Sequence, residues 1–191
     1  IFLGFMALMT GMGLMSDSMA FLKEEAWFRD LMVSFSNPVL GVLVGALMTA
    51  VIQSSSASVG ILQSLCSTGA VTLGSALPII LGQNIGTCIT TLIGSIGANK
   101  NARRAGMIHL YFNIIGVLLF SLLFYGINAF YPWSFLNNTA DAMSIALIHT
   151  FFNVTVTAIL LPTSNLLVKL ATLTVPDAKA EEKAALLDER L

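Results

Sequence analysis

Two polar clusters interrupt long apolar runs: Gln53-Ser54-Ser55-Ser56 and, thirty residues on, Gly82-Gln83-Asn84-Ile85-Gly86-Thr87. Neither contains a charged side chain. A helix broken at such a cluster leaves up to four free N–H groups at the new N-terminus and four free carbonyls at the new C-terminus. The N-terminal end attracts anions. The carbonyls, joined by the side-chain oxygens of Gln53 and Gln83, are hard ligands for a small cation. The second halves would begin near Ser55-Ser56 and Gly86-Thr87, where hydroxyls add donors without adding charge. Gly86 lacks a Cβ and permits close approach of backbone to ligand. The chemistry suits an oxyanion beside an alkali ion. No Lys or Arg lies between Asp30 and Lys100, so an anion buried there needs cations bound with it. No carboxylate lies there either, and no His is near Ser54–Ser56 in sequence, so no nucleophile–base–acid set can be assembled.

The elements that must position these clusters follow from composition. Of 191 residues, 56% are hydrophobic and 10% charged, against about 25% charged in soluble domains. Mean hydropathy is +0.85. The net charge of -1 provides no basic field for nucleic acid. Cys66 and Cys88 have neither disulfide-framework nor zinc spacing. An integral membrane protein is expected. The charge-free intervals 31–99, 105–140 and 142–168 are long enough for several crossings of about 20 residues each.

Residues 1–22 read as a first transmembrane helix and 23–37, with Trp27 and Phe28, as an interfacial segment. The first residue is not Met and no signal-peptide pattern is present, so an internal piece of a longer chain is expected. Segments 105–130 and 143–171 read as two further transmembrane helices. Residues 172–191 read as a cytoplasmic tail, with Ala180, Ala184, Leu187 and Leu191 forming a helical stripe.

Within 38–98, each apolar half is too short to cross roughly 30 Å of hydrocarbon alone. We read 38–67 as a re-entrant hairpin with its tip at Gln53–Ser56, and 71–98 as a transmembrane helix unwound at Gln83–Thr87. The competing reading is close helix packing through Gly41-x-x-x-Gly45 and Gly82-x-x-x-Gly86. Lys100, Arg103 and Arg104 place their loop in the cytoplasm, and parity then favours the hairpin. A second echo, at forty-residue spacing, pairs His109 and Asn113 with His149 and Asn153, each at i, i+4. These residues either support the broken segments, with a part in proton-linked steps, or join helices by hydrogen bonds.

With both clusters in view, the sequence resembles the type II sodium–phosphate cotransporter family over about residues 38–155. The resemblance implies sodium-driven uptake of inorganic phosphate, the substrate lying between two inverted repeats that each carry a Gln-Ser-Ser-Ser hairpin. This chain has one such motif and resembles the C-terminal repeat, after which family members often continue into a PhoU-like domain. The expected fold is therefore an all-α integral membrane transporter half, one of two inverted repeats, with a re-entrant helical hairpin and a broken transmembrane helix. Candidate substrate contacts are Gln53, Ser54, Ser55, Ser56, Asn84, Gly86 and Thr87. Candidate sodium ligands are Gln53, Ser55, Gln83, Asn84 and Thr87, with Asn113 and Asn153 in support. The expected partners are phosphate, sodium, the lipid bilayer and a second repeat or a second copy of the chain, and no nucleic acid. A passive anion channel, a sodium-coupled carrier of another small anion, and a purely structural subunit are the competing functions.

Overall fold

The structure, a computed structural model, describes residues 1–176. The expected 172–191 tail falls outside these residues from 177 onward. The described residues are helical apart from loops and an isolated antiparallel bridge between Thr72 and Thr139. Helix α1 (Phe2–Met19) leads through a 3-10 turn to α2 (Ala26–Ser34). Helices α3 (Pro38–Ile52) and α4 (Ser55–Cys66) follow, then α5 (Leu73–Gly94) and α6 (Lys100–Phe130). Helix α7 (Ala142–Leu160) continues through a 3-10 turn at Pro162 into α8 (Ser164–Thr174).

Short polar residues start these helices. The Asn37 side chain accepts from the N–H groups of Val39 and Leu40, with Pro38 in the first turn. Reciprocal capping boxes, Thr72 with Ser75 and Asp141 with Ser144, begin α5 and α7. The Ser144 N–H and hydroxyl hold the Asp141 carboxyl below the usual carboxylate range.

Among the described residues, four stretches are long and apolar enough to cross a membrane: Phe2–Leu22, Leu73–Gly94, Lys100–Phe130 and Ala142–Thr174. Three of them overlie the expected segments 1–22, 105–130 and 143–171. The outward faces carry Leu43, Leu47, Val51, Leu118 and Leu122, as a hydrocarbon-facing surface requires. The interfacial segment holds α2, whose axis is bent 107° from α3. Its Phe28 and Met32, with Phe35, pack under α4 and α5.

The expected unwinding at Gln83–Thr87 is absent, because α5 runs unbroken from Leu73 to Gly94. Its polar side chains find partners without opening the backbone. Asn84 Nδ2 donates to the Ile80 carbonyl (2.8 Å) and Thr87 Oγ1 to the Gln83 carbonyl (2.8 Å). Gln83 Nε2 reaches Ser58 on α4. A helix whose side-chain donors find partners in this way, with its own backbone hydrogen bonds intact, has no reason to break at membrane depth.

The glycines explain how close those partners are. Helices α3 and α5 run parallel, with Gly41 against Pro78, Gly45 against Ile79, Gly82 against Val42 and Gly86 against Ala46 and Thr49. A Cβ on Gly45 would overlap the Ile79 carbonyl, and one on Gly82 the Val42 carbonyl. The two small-x-x-x-small motifs are thus the two sides of one backbone contact.

The break at residue 53 is real. Gln53 adopts the left-handed region (φ 57°), and the Ser54 hydroxyl caps α4 by accepting from Ala57 N–H. The two arms then lie side by side, with Thr49 Oγ1 and Ser58 Oγ 2.8 Å apart.

Candidate functional site

Helix α5 is the axis of the site, and its periodicity divides the polar run between two faces. On one face Gln83 and Gly86 meet the hairpin arms. Gln83 is buried, its Nε2 lying 3.1 Å from the Ser58 carbonyl and 3.2 Å from Ser58 Oγ. Thr49, Ser58 and Gln83, all buried, thereby join α3, α4 and α5 through side chains. The Gln83 Oε1 atom is buried without a hydrogen-bond partner.

On the other face Asn84 and Thr87 open into a cleft of about 290 Å³. Ser55, the first residue of α4, joins them there, as do His109, Phe112 and Asn113 of α6 and His149 and Asn153 of α7. The sequence separations are large, yet five expected residues (Ser55, Asn84, Thr87, Asn113, Asn153) share this one space. The other expected residues sit elsewhere. Gln53 and Ser54 are exposed at the hairpin turn, where they supply the left-handed residue and the cap. Ser56 faces a larger, mostly apolar groove of about 640 Å³ against α1, beside Met12 and Met15. Gln83 and Gly86 face α3 and α4.

The hydrogen bonds already made determine what the cleft can still offer. Thr87 has spent its hydroxyl hydrogen on the Gln83 carbonyl, so its oxygen presents lone pairs. The Asn113 amide donates to the His109 carbonyl (3.0 Å) and the Asn153 amide to the His149 carbonyl (2.8 Å). Their amide oxygens are left as acceptors. This part of the cleft is a set of neutral oxygens, suited to a hard cation. The donors come from α4: the Ser55 hydroxyl and the helix N-terminal turn, where an anion is favoured.

The imidazoles complete the walls. His149 Nε2 lies 3.2 Å from Asn84 Oδ1, and His109 Nδ1 lies 3.1 Å from Thr91 Oγ1. Both rings therefore bond to side chains of α5, and with α5 continuous they have no unwound carbonyls to hold. Thr49, Ser58 and Phe112 carry no advance signal in the sequence, since a Ser, Thr or Phe in an apolar helix is ordinary. The i, i+4 repetition of His and Asn was the signal that marked α6 and α7. Among the described residues no group of three or more His, Cys, Asp or Glu side chains could hold a metal ion. Any cation here must be one that neutral oxygens can bind.

The family described as Na+/Pi-cotransporter matches residues 7–131. The uncharacterized protein YqeW of Bacillus subtilis is 33% identical over 135 residues, covering 71% of this chain and 43% of that protein. The sodium-dependent phosphate transport protein 2B of Homo sapiens is 42% identical over 90 residues, covering 44% of this chain and 13% of that protein. The sodium-dependent phosphate transport protein 2A of Rattus norvegicus is 42% identical over 98 residues, with 48% and 15% covered. The chain thus spans less than half the length of these relatives. No solved structure matches it.

Proposed function

This chain belongs to the Na+/Pi-cotransporter family, and we propose that it is part of a secondary active transporter coupling sodium entry to uptake of inorganic phosphate across the cell membrane. The observation that carries this reading is the cleft, whose uncharged walls bring oxygen acceptors into one space with a helix N-terminus and a serine hydroxyl. Sodium takes the acceptor side, with Asn84, Thr87 and Ser55 as ligands and Asn113 and Asn153 in support. Phosphate takes the α4 end, with Ser55 as its first contact and the Gln53–Ser54 turn beside it. Because no Lys or Arg occurs between Asp30 and Lys100, sodium supplies the neutralising charge. That electrostatic need is why transport of the anion is coupled to the cation. Gln83 and Gly86 serve the same site indirectly, by holding α5 against the hairpin.

The arms α3 and α4 form a re-entrant hairpin in this reading, and the basic Lys100–Arg104 end of α6 and the C-terminal tail face the cytoplasm. A second repeat, or a second copy of the chain, closes the cleft from the side that α4, α5, α6 and α7 leave open.

The test is phosphate uptake by the full-length protein in proteoliposomes, with and without an inward sodium gradient. Accumulation above equilibrium only with sodium is expected. Uptake that ignores the gradient would make the protein a passive anion channel, and failure of unlabelled phosphate to compete would point to another anion. The turn residue gives a finer test. Gln53→Gly keeps the left-handed turn, which glycine adopts readily, and deletes the side chain. It is expected to preserve thermal stability while lowering sodium-dependent uptake. Unchanged uptake would reduce Gln53 to a conformational part.

A further inference from the structure

Asn84 is held at both ends of its amide. Its Nδ2 donates to the Ile80 carbonyl one turn back on α5, at 2.8 Å, so Oδ1 is the atom that faces His149 Nε2 at 3.2 Å. An amide oxygen has no hydrogen to give, so the ring nitrogen donates and His149 carries its proton on Nε2. The helix that carries the ring is anchored on both sides of it. Ile145 and Phe152, one turn to either side on α7, are fully buried, and the His149 carbonyl accepts from Asn153 Nδ2 at 2.8 Å. Ring and amide therefore link α7 to the cleft face of α5.

We propose that His149 is a positioning residue for cation binding, aiming Asn84 Oδ1 so that its second lone pair points into the cleft. The inference rests on the reading of that cleft as the sodium site, and it assigns the histidine no contact with sodium or phosphate. A ligand oxygen that can swing loses affinity, and removal of the partner orienting a metal ligand typically costs about ten- to a hundredfold in binding. His109 does not share the role, because its ring bonds Thr91, which does not line the cleft.

The experiment uses the full-length protein in proteoliposomes and follows the sodium dependence of phosphate uptake at saturating phosphate. His149→Leu is expected to raise the half-saturating sodium concentration by about tenfold or more, with a smaller fall in maximal rate. His149→Gln, whose side-chain amide replaces the Nε2–H donor, is expected to restore most of that affinity. In an Asn84→Ala background, His149→Leu should add little, since there is no longer an amide to aim. A second measurement needs no variant: nitrogen NMR of the labelled protein should show His149 as the Nε2–H tautomer, with a signal that moves on adding sodium but not potassium. Equal half-saturation in all the proteins, additive losses in the double variant, or an Nδ1–H tautomer would each overturn the inference. If the unsubstituted protein showed no sodium-dependent uptake, the underlying reading of the cleft would fall, an outcome distinct from any of these.

Discussion

The double variant Ser55→Ala, Thr87→Val is expected to lose sodium-dependent phosphate uptake by at least two orders of magnitude while remaining folded. Both side chains line the cleft, and neither helix depends on them for its shape. The cap of α4 is Ser54, whose hydroxyl accepts from Ala57 N–H, so Ser55→Ala leaves the hairpin turn intact. Thr87 donates to a carbonyl of its own helix, and valine keeps its volume while removing the oxygen. Each hydroxyl lost from a charged ligand costs about 1.5–3 kcal/mol, roughly ten- to a hundredfold per site. Ser56→Ala is the matched control, since Ser56 lies in the groove against α1. Radiolabelled uptake in proteoliposomes, normalised to reconstituted protein, provides the measurement. Activity in the double variant close to that of Ser56→Ala would remove Ser55 and Thr87 from the site.

The largest effect on stability should come from two glycines that touch no ligand. Gly45→Ala and Gly82→Ala each place a methyl group into a backbone carbonyl of the opposing helix, Ile79 in the first case and Val42 in the second. Backbone cannot move aside as a flexible side chain can, so α3 and α5 must separate. Overpacking costs about 1–3 kcal/mol and occasionally more, and we expect each variant at or above the top of that range. Separation would also pull Gln83 from Ser58, leaving buried polar groups without partners. Gly126→Ala in α6 is the control, with nothing within 4 Å of its new methyl and a gain of up to about 1 kcal/mol in helix propensity. Thermal unfolding in detergent should order the proteins Gly126→Ala, wild type, then the two interface variants, with the double interface variant failing to fold. Wild-type stability in Gly45→Ala would contradict the packing described.

The residues proposed to bind ligand and those that pack α5 against α3 and α4 therefore sit on adjacent faces of one helix. Asn84 and Thr87 point to the cleft, while Gly82, Gln83 and Gly86 point to the hairpin.

Chain composition alone determined the solvent: with 10% charged residues and long uncharged intervals, the chain belongs in a bilayer. The local sequence also marked the turn at residue 53, where a cluster of short polar residues interrupts an apolar run and Ser54 serves as the cap of the helix that follows. The i, i+4 pairing of His with Asn was local in the same sense, because both ends lie on one helix. What only the tertiary structure decided was the state of α5. A polar cluster in an apolar run states that its groups need partners, but it does not say whether water, ligand, backbone or another helix provides them. Here the partner of Gln83 is Ser58, brought within reach by glycines on α3 and α5 some forty residues apart. That proximity is a property of two packed surfaces, which no window along the chain contains. Once it exists, opening the helix would expose backbone groups for no gain, and α5 stays whole.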